Sequence, residues 1–145
     1  MKTVDISEKT SSRRTALAEG RLSLKEGTVR AISEGKVRKG DPFHVAESAA
    51  LLAVKRTSEL IPHCHQVPIS SISVEFTIEG AEVVCKCEVR ANYATGVEMD
   101  ALTGAAIALL TVWDMVKYLE KDEHGQYPTT TVHGLRVIEK SKVAV

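Results

Sequence analysis

Polar and apolar residues alternate along four stretches of the chain, a pattern that predicts β-strands with one buried face. The four stretches are residues 21–24, 69–78, 81–89 and 132–143. In the second stretch, every other residue from Ile72 to Ile78 is large and apolar, and the residues between them are polar. Glu79 and Gly80 separate the second and third stretches and predict a hairpin turn, which would make these strands antiparallel neighbours.

Three other stretches place apolar residues at helical spacing. A short helix is predicted over 28–34, a second over 43–60 and a long one over 97–121. The long helix is apolar around most of its circumference, which is more apolar surface than one sheet face can cover. We therefore expect a partner subunit to cover the remainder.

With the short helix set aside, the predicted order of elements is β-α-β-β-α-β. This order is typical of the split βαβ, or ferredoxin-like, fold, an α+β fold with an antiparallel sheet and both helices on one face. A length of 145 residues suits a single domain over 1–145. The polar and basic residues 1–16 are expected to form a mobile arm that orders when substrate binds.

Composition and charge argue against several classes of protein. Apolar residues make up 43% of the chain and charged residues 26%, as in ordinary globular proteins. Nineteen basic residues balance nineteen acidic ones, and aromatic residues are only 4%, which disfavours nucleic-acid binding. No stretch has the uninterrupted apolar length of a membrane span, and the start lacks the core of a signal peptide. Three cysteines do not form a disulfide framework, so we expect a cytoplasmic protein without a membrane partner.

A loop after the second predicted helix contains His63, Cys64 and His65. With Cys85 and Cys87 of the neighbouring strand, it could form a metal site, but neither pair of like residues has the spacing usual for zinc ligands. Buried free cysteines more often fill space in the core. The loop is therefore better interpreted as a substrate-binding or acid–base element, and we predict no metal ligands.

The long helix carries two further candidates. Glu98, Met99 and Asp100 stand in its first turn, where acidic residues also simply complement the helix dipole. Asp114 and Lys117 are neighbours on the helix surface, and an ordinary ion pair at this spacing contributes about 0.2–0.5 kcal/mol. The alternative is that this carboxylate and amine perform acid–base chemistry.

Scattered basic residues are most often solvated surface charges. If several converge, they suit a triphosphate, because lysine acts as a point charge and arginine as a fork. The candidates are Arg14, Lys39, Lys55, Arg56 and Lys140.

Helix geometry separates the candidates on the long helix. Glu98 and Asp114 are sixteen positions apart, which corresponds to roughly 24 Å along the axis and nearly opposite sides of the helix. A small substrate cannot touch both within one chain. If both residues bind it, the site lies between subunits.

Several sequence motifs together resemble those of a known family. They are KTSSRRTALAEG at 9–20, RKGD at 38–41, KRTSELIPHCHQ at 55–66, GVEMDALTGAAIALLTVWDMVK at 96–117 and EKSK at 139–142. This combination resembles the MoaC family, the cyclic pyranopterin monophosphate synthases of molybdenum cofactor biosynthesis. The resemblance covers nearly the whole chain.

The resemblance implies a ferredoxin-like subunit in a homohexamer, a trimer of dimers with active sites at subunit interfaces. It implies a lyase that converts a GTP-derived substrate, 3',8-cyclo-7,8-dihydro-GTP, into cyclic pyranopterin monophosphate and pyrophosphate. The resemblance requires no cofactor, and it leaves open whether Mg²⁺ accompanies the triphosphate.

The family's residues map onto this chain position by position. Asp114 and Lys117 take the catalytic roles. The implied substrate-binding residues are Arg14, Lys39, Cys64, His65, Glu98, Met99, Asp100 and Lys140. His63 joins them only through its place in the loop, because the family usually has leucine there. Asp100 stands where the family usually has glutamate, which is one methylene longer.

Two alternatives from other functional classes remain open on the sequence alone. One is a metal-dependent hydrolase that uses His63, His65 and a carboxylate. The other is a hexameric binding module without catalytic activity.

Overall fold

The computed structural model of the chain describes residues 1–145 and contains four strands and four helices. The α+β class predicted above is confirmed. The elements in chain order are β1 (Ser12–Ser23), α1 (Glu26–Ser33), α2 (Pro42–Lys55), α3 (Thr57–Leu60), β2 (Ser71–Glu79), β3 (Glu82–Tyr93), α4 (Glu98–Glu120) and β4 (Thr131–Ala144).

All four strands belong to one antiparallel sheet, in the order β2-β3-β1-β4. The predicted turn joins β2 to β3, and Gly80 has a φ of 60°, in the left-handed region that favours glycine. β1 is a central strand, because it pairs with β3 along one edge and with β4 along the other.

β1 is longer than the predicted strand at 21–24, since it begins at Ser12. Residues 12–16, which were assigned to the mobile arm, therefore form the first part of a central strand. The inward-facing residues here include Ser12, Arg14 and Ala16, all of which are buried. These residue types carry little strand propensity, so the flanking strands β3 and β4 determine this conformation rather than the local sequence.

The predicted helix over 43–60 is two helices, because the chain departs from helical geometry at Arg56. α2 begins where Asp41 caps it, with its carboxylate accepting a hydrogen bond from the backbone N–H of Phe43 at 3.0 Å. Pro42 takes the first helical position, where its missing N–H costs nothing. Both features place the segment before Asp41 in a loop, which carries Lys39.

α2 and α4 pack on the same face of the sheet. Phe43 of α2 stacks on Phe76 of β2 with 4.8 Å between ring centroids. Gly104 brings α4 so close to β3 that a Cβ there would lie 2.8 Å from the Cys87 sulfur. Cys87 and Phe76 project to this face, and Cys87 is fully buried. The core therefore lies between α4, α2 and the sheet.

The opposite face of the sheet is polar. Glu75 of β2 lies across from Lys86 of β3. Glu19 of β1 is buried and accepts a hydrogen bond at 3.3 Å from Arg136 of β4. Opposite charges on neighbouring strands stabilise such a face modestly.

α4 is the one helix whose length and composition would allow it to cross a membrane. Half of its most apolar stretch is buried inside the protein, as in the core helix of a globular domain. Its apolar character is thus accounted for in part by packing against the sheet and α2.

Candidate active site

The predicted site residues fall into two groups at opposite ends of α4. We call the first the C-terminal cluster, which consists of Lys39, Asp114 and Lys117. The Lys117 amine lies 3.1 Å from the Asp114 carboxylate, one helical turn away. The Lys39 amine donates to the backbone carbonyl of Asp114 at 3.2 Å, so the loop between α1 and α2 brings a second cation to this pair.

The two lysines control the ionisation of Asp114. The hydrogen bond from Lys117 lowers the pKa of the Asp114 carboxyl, and the charges of Lys117 and Lys39 lower it further. The group is therefore a carboxylate at neutral pH. Its side chain is 63% exposed, so it is free to contact a ligand and accept a proton.

Two residues beside the C-terminal cluster hold the loop against α4. Tyr118 follows Lys117, and its hydroxyl accepts a hydrogen bond from the backbone N–H of Arg38 at 2.6 Å. The Arg38 guanidinium lies over the Tyr118 ring, 4.4 Å from its centroid. Sequence reasoning did not identify Tyr118, although Arg38 belongs to the RKGD motif.

We call the second group the N-terminal cluster, which consists of Cys64, Glu98, Asp100 and Lys140. The Lys140 amine of β4 lies 3.4 Å from the Glu98 carboxylate. Gly96 leaves room for that carboxylate, because a Cβ there would collide with it. Burial raises the pKa of the Cys64 thiol, and the negative charges of Asp100 and Glu98 raise it further.

Asp100 is the most unusual residue of the N-terminal cluster. It is only 3% exposed, and one of its carboxylate oxygens, Oδ2, has no hydrogen-bond partner. Burial raises the pKa of Asp100 to about 6, against the hydrogen bond from its own backbone N–H. A buried, unpaired oxygen is costly and is suited to receive an N–H donor from a ligand.

Three further predicted residues lie near the N-terminal cluster. The Arg14 guanidinium is buried and donates to the carbonyls of Tyr93 and Ala94 at 3.4 and 3.3 Å, just before α4 begins. His65 lies in the same loop as Cys64, and its Nε2–H donates to the Val4 carbonyl at 2.6 Å. Met99 is 40% exposed.

The arrangement divides the predicted phosphate-binding cations between the two clusters. Lys39 is in the C-terminal cluster, whereas Arg14 and Lys140 lie near the other end of α4. The ends are roughly 24 Å apart along the helix axis. A single chain therefore does not bring the three predicted cations together.

The alternative metal site has no counterpart in this arrangement. Cys85 and Cys87 are fully buried in the core. Burial raises the pKa of both thiols to about 12, which opposes the thiolate form that metals bind. His63 is an exposed residue of the loop, and no group of three His, Cys, Asp or Glu residues is positioned to hold a metal ion.

A buried carboxylate near the C-terminal cluster was also missed from the sequence. Glu120, the last residue of α4, is fully buried and accepts hydrogen bonds from the Lys25 backbone N–H at 3.0 Å and the Thr130 hydroxyl at 2.5 Å. A third donor is the Thr28 hydroxyl. No sequence signal reveals it, because glutamate at the end of a helix is usually exposed.

Comparison with known proteins places this chain among close relatives. It is 50% identical over 142 residues to a probable cyclic pyranopterin monophosphate synthase from Pyrococcus abyssi, covering 98% of this chain and 89% of the relative. It is 51% identical, with the same coverage, to a protein of the same name from Pyrococcus horikoshii. A relative from Methanothermobacter thermautotrophicus, 48% identical over 97% of this chain and 88% of its own length, is named a probable cyclic pyranopterin monophosphate synthase accessory protein.

One solved structure shows only a distant likeness, an aminobenzoyl-glutamate utilization protein from Klebsiella pneumoniae. Its TM-score is 0.32 at 14% identity, over 92% of this chain and 30% of that one. By contrast, the profile of the MoaC family matches residues 3–142. The chain therefore belongs to the MoaC family.

Proposed function

We propose that this protein converts 3',8-cyclo-7,8-dihydro-GTP into cyclic pyranopterin monophosphate and pyrophosphate, an early step of molybdenum cofactor biosynthesis. The protein is a lyase. Its family and its relatives at about 50% identity support this function. The structural observation that carries the proposal is the C-terminal cluster. The Lys117 amine lies 3.1 Å from the Asp114 carboxylate, and the Lys39 amine, from a separate part of the chain, lies 3.2 Å from the Asp114 carbonyl oxygen.

The C-terminal cluster suits the phosphate chemistry of the reaction. A ribose hydroxyl oxygen bonds to the α-phosphorus, and the bond from that phosphorus to the oxygen bridging the β-phosphate breaks, so that pyrophosphate leaves. Lys39 and Lys117 offer positive charge to the leaving phosphates. The Asp114 carboxylate is placed to accept a proton during the rearrangement.

The N-terminal cluster suits the pterin-forming end of the substrate. Glu98 and Asp100 offer carboxylate oxygens to the ring N–H groups, and His65 and Cys64 lie in the adjacent loop with His63. Asp100 is shorter than the usual glutamate, but its unpaired Oδ2 still offers an acceptor. Met99 adds an apolar surface beside the ring, while Arg14 and Lys140 place positive charge at the edge of this cluster.

We place the complete active site between two subunits, so that the C-terminal cluster of one chain faces the N-terminal cluster of its partner. The separation along α4 supports this placement. Exposed apolar residues on α2 and α4 offer surface for the partner: Val45, Leu52, Met99 and Leu110. The proposed assembly is a homohexamer, a trimer of dimers.

The finer features of the subunit belong to the same proposal. The strand order and the two helices on one face support a ferredoxin-like, single-domain subunit over 1–145. The residues before β1 are proposed to order further over the site when substrate binds, because Val4 already contacts His65. We place the enzyme in the cytoplasm. The chain needs no resident cofactor, and any Mg²⁺ would arrive with the triphosphate.

The direct test is to incubate the purified protein with the cyclised nucleotide and to measure both products. We expect pyrophosphate, detected by a coupled pyrophosphatase assay, and cyclic pyranopterin monophosphate, detected by mass spectrometry, in equal amounts. Asp114→Asn and Lys117→Ala should each lower turnover by about 100-fold or more while the circular dichroism spectrum is unchanged.

Glu123→Gln serves as the matched control, because this exposed carboxylate follows α4 and contacts neither cluster. It should retain full turnover. Absence of both products with the wild-type protein would contradict the proposed function. Full turnover by either cluster variant would remove that residue from catalysis.

A further inference from the structure

The loop between α1 and α2 delivers Lys39 to the C-terminal cluster, and its tip, residues 38–40, is exposed, although Val37 just before the tip is buried in the core. Within the loop, the backbone N–H of Gly40 bonds only to the nearby carbonyl of Val37. Gly35 and Gly40, with φ of 68° and 112°, bound the tip on either side. Beyond the anchor at Val37, the position of Lys39 relative to Asp114 depends on contacts between this tip and α4.

Tyr118 makes two such contacts through one side chain. Its hydroxyl accepts a hydrogen bond from the backbone N–H of Arg38 at 2.6 Å, and its ring centroid lies 4.4 Å from the Arg38 guanidinium carbon. It is the one side chain of α4 that hydrogen-bonds to the backbone of this tip. Arg38 is exposed, and an exposed cation over an aromatic ring adds a modest attraction to the hydrogen bond.

These contacts connect the loop to the catalytic pair over a short distance. Arg38 directly precedes Lys39, and Tyr118 directly follows Lys117. A residue held at Arg38 leaves Lys39 little freedom, so its amine stays near the Asp114 carbonyl at 3.2 Å. Without the anchor, the long lysine side chain and its loop would have to be ordered anew each time phosphate binds.

We infer that Tyr118 is a positioning residue, which holds the Arg38–Lys39 loop tip so that Lys39 meets the phosphates beside Asp114 and Lys117. Tyr118 does not itself touch the reacting atoms. The inference rests on the proposed function, because it assumes that Lys39 binds phosphate.

The test uses Tyr118→Phe, which removes one oxygen atom and keeps the ring. We expect faster hydrogen exchange at the Arg38 amide, since its acceptor is lost. We also expect about three- to tenfold weaker binding of inorganic pyrophosphate, measured by calorimetry on the assembled protein. Tyr127→Phe is the matched control, because the Tyr127 ring packs edge-on against Trp113 of α4 and the acceptor of the Arg38 amide is the Tyr118 hydroxyl.

A double-mutant cycle separates positioning from general damage. If Tyr118 acts through Lys39, Tyr118→Phe should weaken pyrophosphate binding no further in a Lys39→Ala background. Independent, additive losses in the double variant, or unchanged affinity in Tyr118→Phe, would overturn the inference.

The exchange measurement keeps the two proposals distinguishable. A wild-type protein that neither turns over the cyclised nucleotide nor binds pyrophosphate would contradict the proposed function. Slow exchange at Arg38 in Tyr118→Phe, equal to that of the wild type, would contradict the positioning role whatever the activity.

Discussion

Two carboxylates of one helix have opposite ionisation behaviour, because their surroundings differ. The pKa of Asp100 is raised to about 6 by burial, whereas the hydrogen bond and charge of Lys117 lower the pKa of Asp114. Enzymes that transfer several protons commonly separate the pKa values of their acids and bases in this way. At neutral pH both groups are therefore mainly carboxylates, but Asp100 gains a proton at a higher pH than Asp114 does.

The burial of Asp100 predicts a distinctive pH dependence of stability. Between pH 3.8, its ordinary pKa, and about pH 6, the folded protein binds more protons at this residue than the unfolded chain does. The free energy of unfolding attributable to Asp100 therefore falls as pH rises through this window. Asp100→Asn removes the titrating group. The free energy of unfolding of the variant, relative to that of the wild type, should therefore rise by on the order of 1–3 kcal/mol from pH 3.5 to pH 7.

Urea unfolding of both proteins at the two pH values measures this difference. Comparing the variant with the wild type at each pH cancels the constant cost of introducing an amide. Glu123→Gln is the control, because the Glu123 side chain is 82% exposed and does not contribute to the raised pKa of Asp100. A variant-to-wild-type difference that is the same at both pH values would contradict a raised pKa at Asp100.

The three cysteines should differ in reactivity. Cys85 and Cys87 are fully buried, and burial raises the pKa of each thiol to about 12, while Cys64 is partly exposed and burial raises the pKa of its thiol as well. In the native protein a thiol reagent at pH 8 should modify Cys64 alone, and more slowly than in the unfolded chain. Unfolding should make all three thiols reactive.

Replacement of Cys64 by serine identifies the reacting group. The native variant should show no modification, and the unfolded variant should show two reactive thiols. Rapid modification of more than one cysteine in the native wild-type protein would contradict the packing of β3 against α4.

The chemistry of individual residues was predictable where a motif surrounded them, and their environment was not. Asp114 and Lys117 were expected to meet because they are three positions apart on a helix, and they do. The burial of Asp100 depends on its neighbours in the fold, so its position at a helix start could not indicate it; the position suggested a dipole effect, and the family resemblance implied substrate binding. The roles of both groups in catalysis stay predictions.

At the scale of elements, α4 is held at its last turn by a buried carboxylate. Glu120 connects it to the start of α1 through Lys25 and Thr28, and to the residue before β4 through Thr130. The Lys25 backbone N–H, which donates a hydrogen bond to Glu120, lies at the positive end of the α1 dipole, and no side chain of α1 itself caps this end. This junction sets the position of α1, and α1 leads directly into the loop that carries Lys39.

Glu120→Gln should therefore destabilise the protein by about 1–3 kcal/mol, because an amide cannot accept from all three donors. Thr28→Val, which keeps the shape and removes one donor, should have a smaller effect in the same direction. Thermal and urea unfolding measure both. Glu123→Gln, with its side chain 82% exposed, is the control and should change stability little. Equal stability of Glu120→Gln and the control would show that the buried carboxylate contributes nothing.

Most elements were predictable from hydrophobic periodicity, and the exceptions have physical causes. The long helix and the hairpin of β2 and β3 were anticipated because their patterns are regular over many residues. The first half of β1 was missed because serine, arginine and alanine adopt a strand there only between two partners. The break at Arg56 was missed because apolar spacing continues through it into α3.

At the scale of the whole molecule, α4 separates the two clusters of candidate site residues, one near each of its ends. One end presents Asp114 and Lys117 with Lys39, and the other presents Glu98 and Asp100 with Lys140. Because the two ends are roughly 24 Å apart along the helix axis, the proposed function has a substrate with a triphosphate and a ring system engage both kinds of group across a subunit interface. The sequence predicted this separation from helix geometry alone, but it did not show which cations accompany each end.

Mixing two kinds of inactive subunit can show whether one active site uses residues from two chains. That experiment needs a control in which both substitutions lie in the same cluster. Asp114→Ala and Lys117→Ala both damage the C-terminal cluster, so every site in a mixed assembly of these two variants carries a lesion. This mixture should stay inactive whatever the location of the site. It also shows that reassembly does not itself regenerate activity.

The mixture of Asp114→Ala subunits with His65→Ala subunits tests most directly whether the active site joins the two clusters across subunits. The variants are co-expressed, the mixed oligomers are purified by two different tags, and release of pyrophosphate from the cyclised nucleotide is measured. In a shared site, a mixed dimer contains one site with both lesions and one site with neither. In the proposed hexamer the three dimers pair at random, so about half of the dimers in the purified mixed hexamers are mixed, half of the sites in those dimers are intact, and roughly a quarter of wild-type activity should return. Mixed oligomers as inactive as either parent would place both residues in the site of a single subunit and contradict the shared active site.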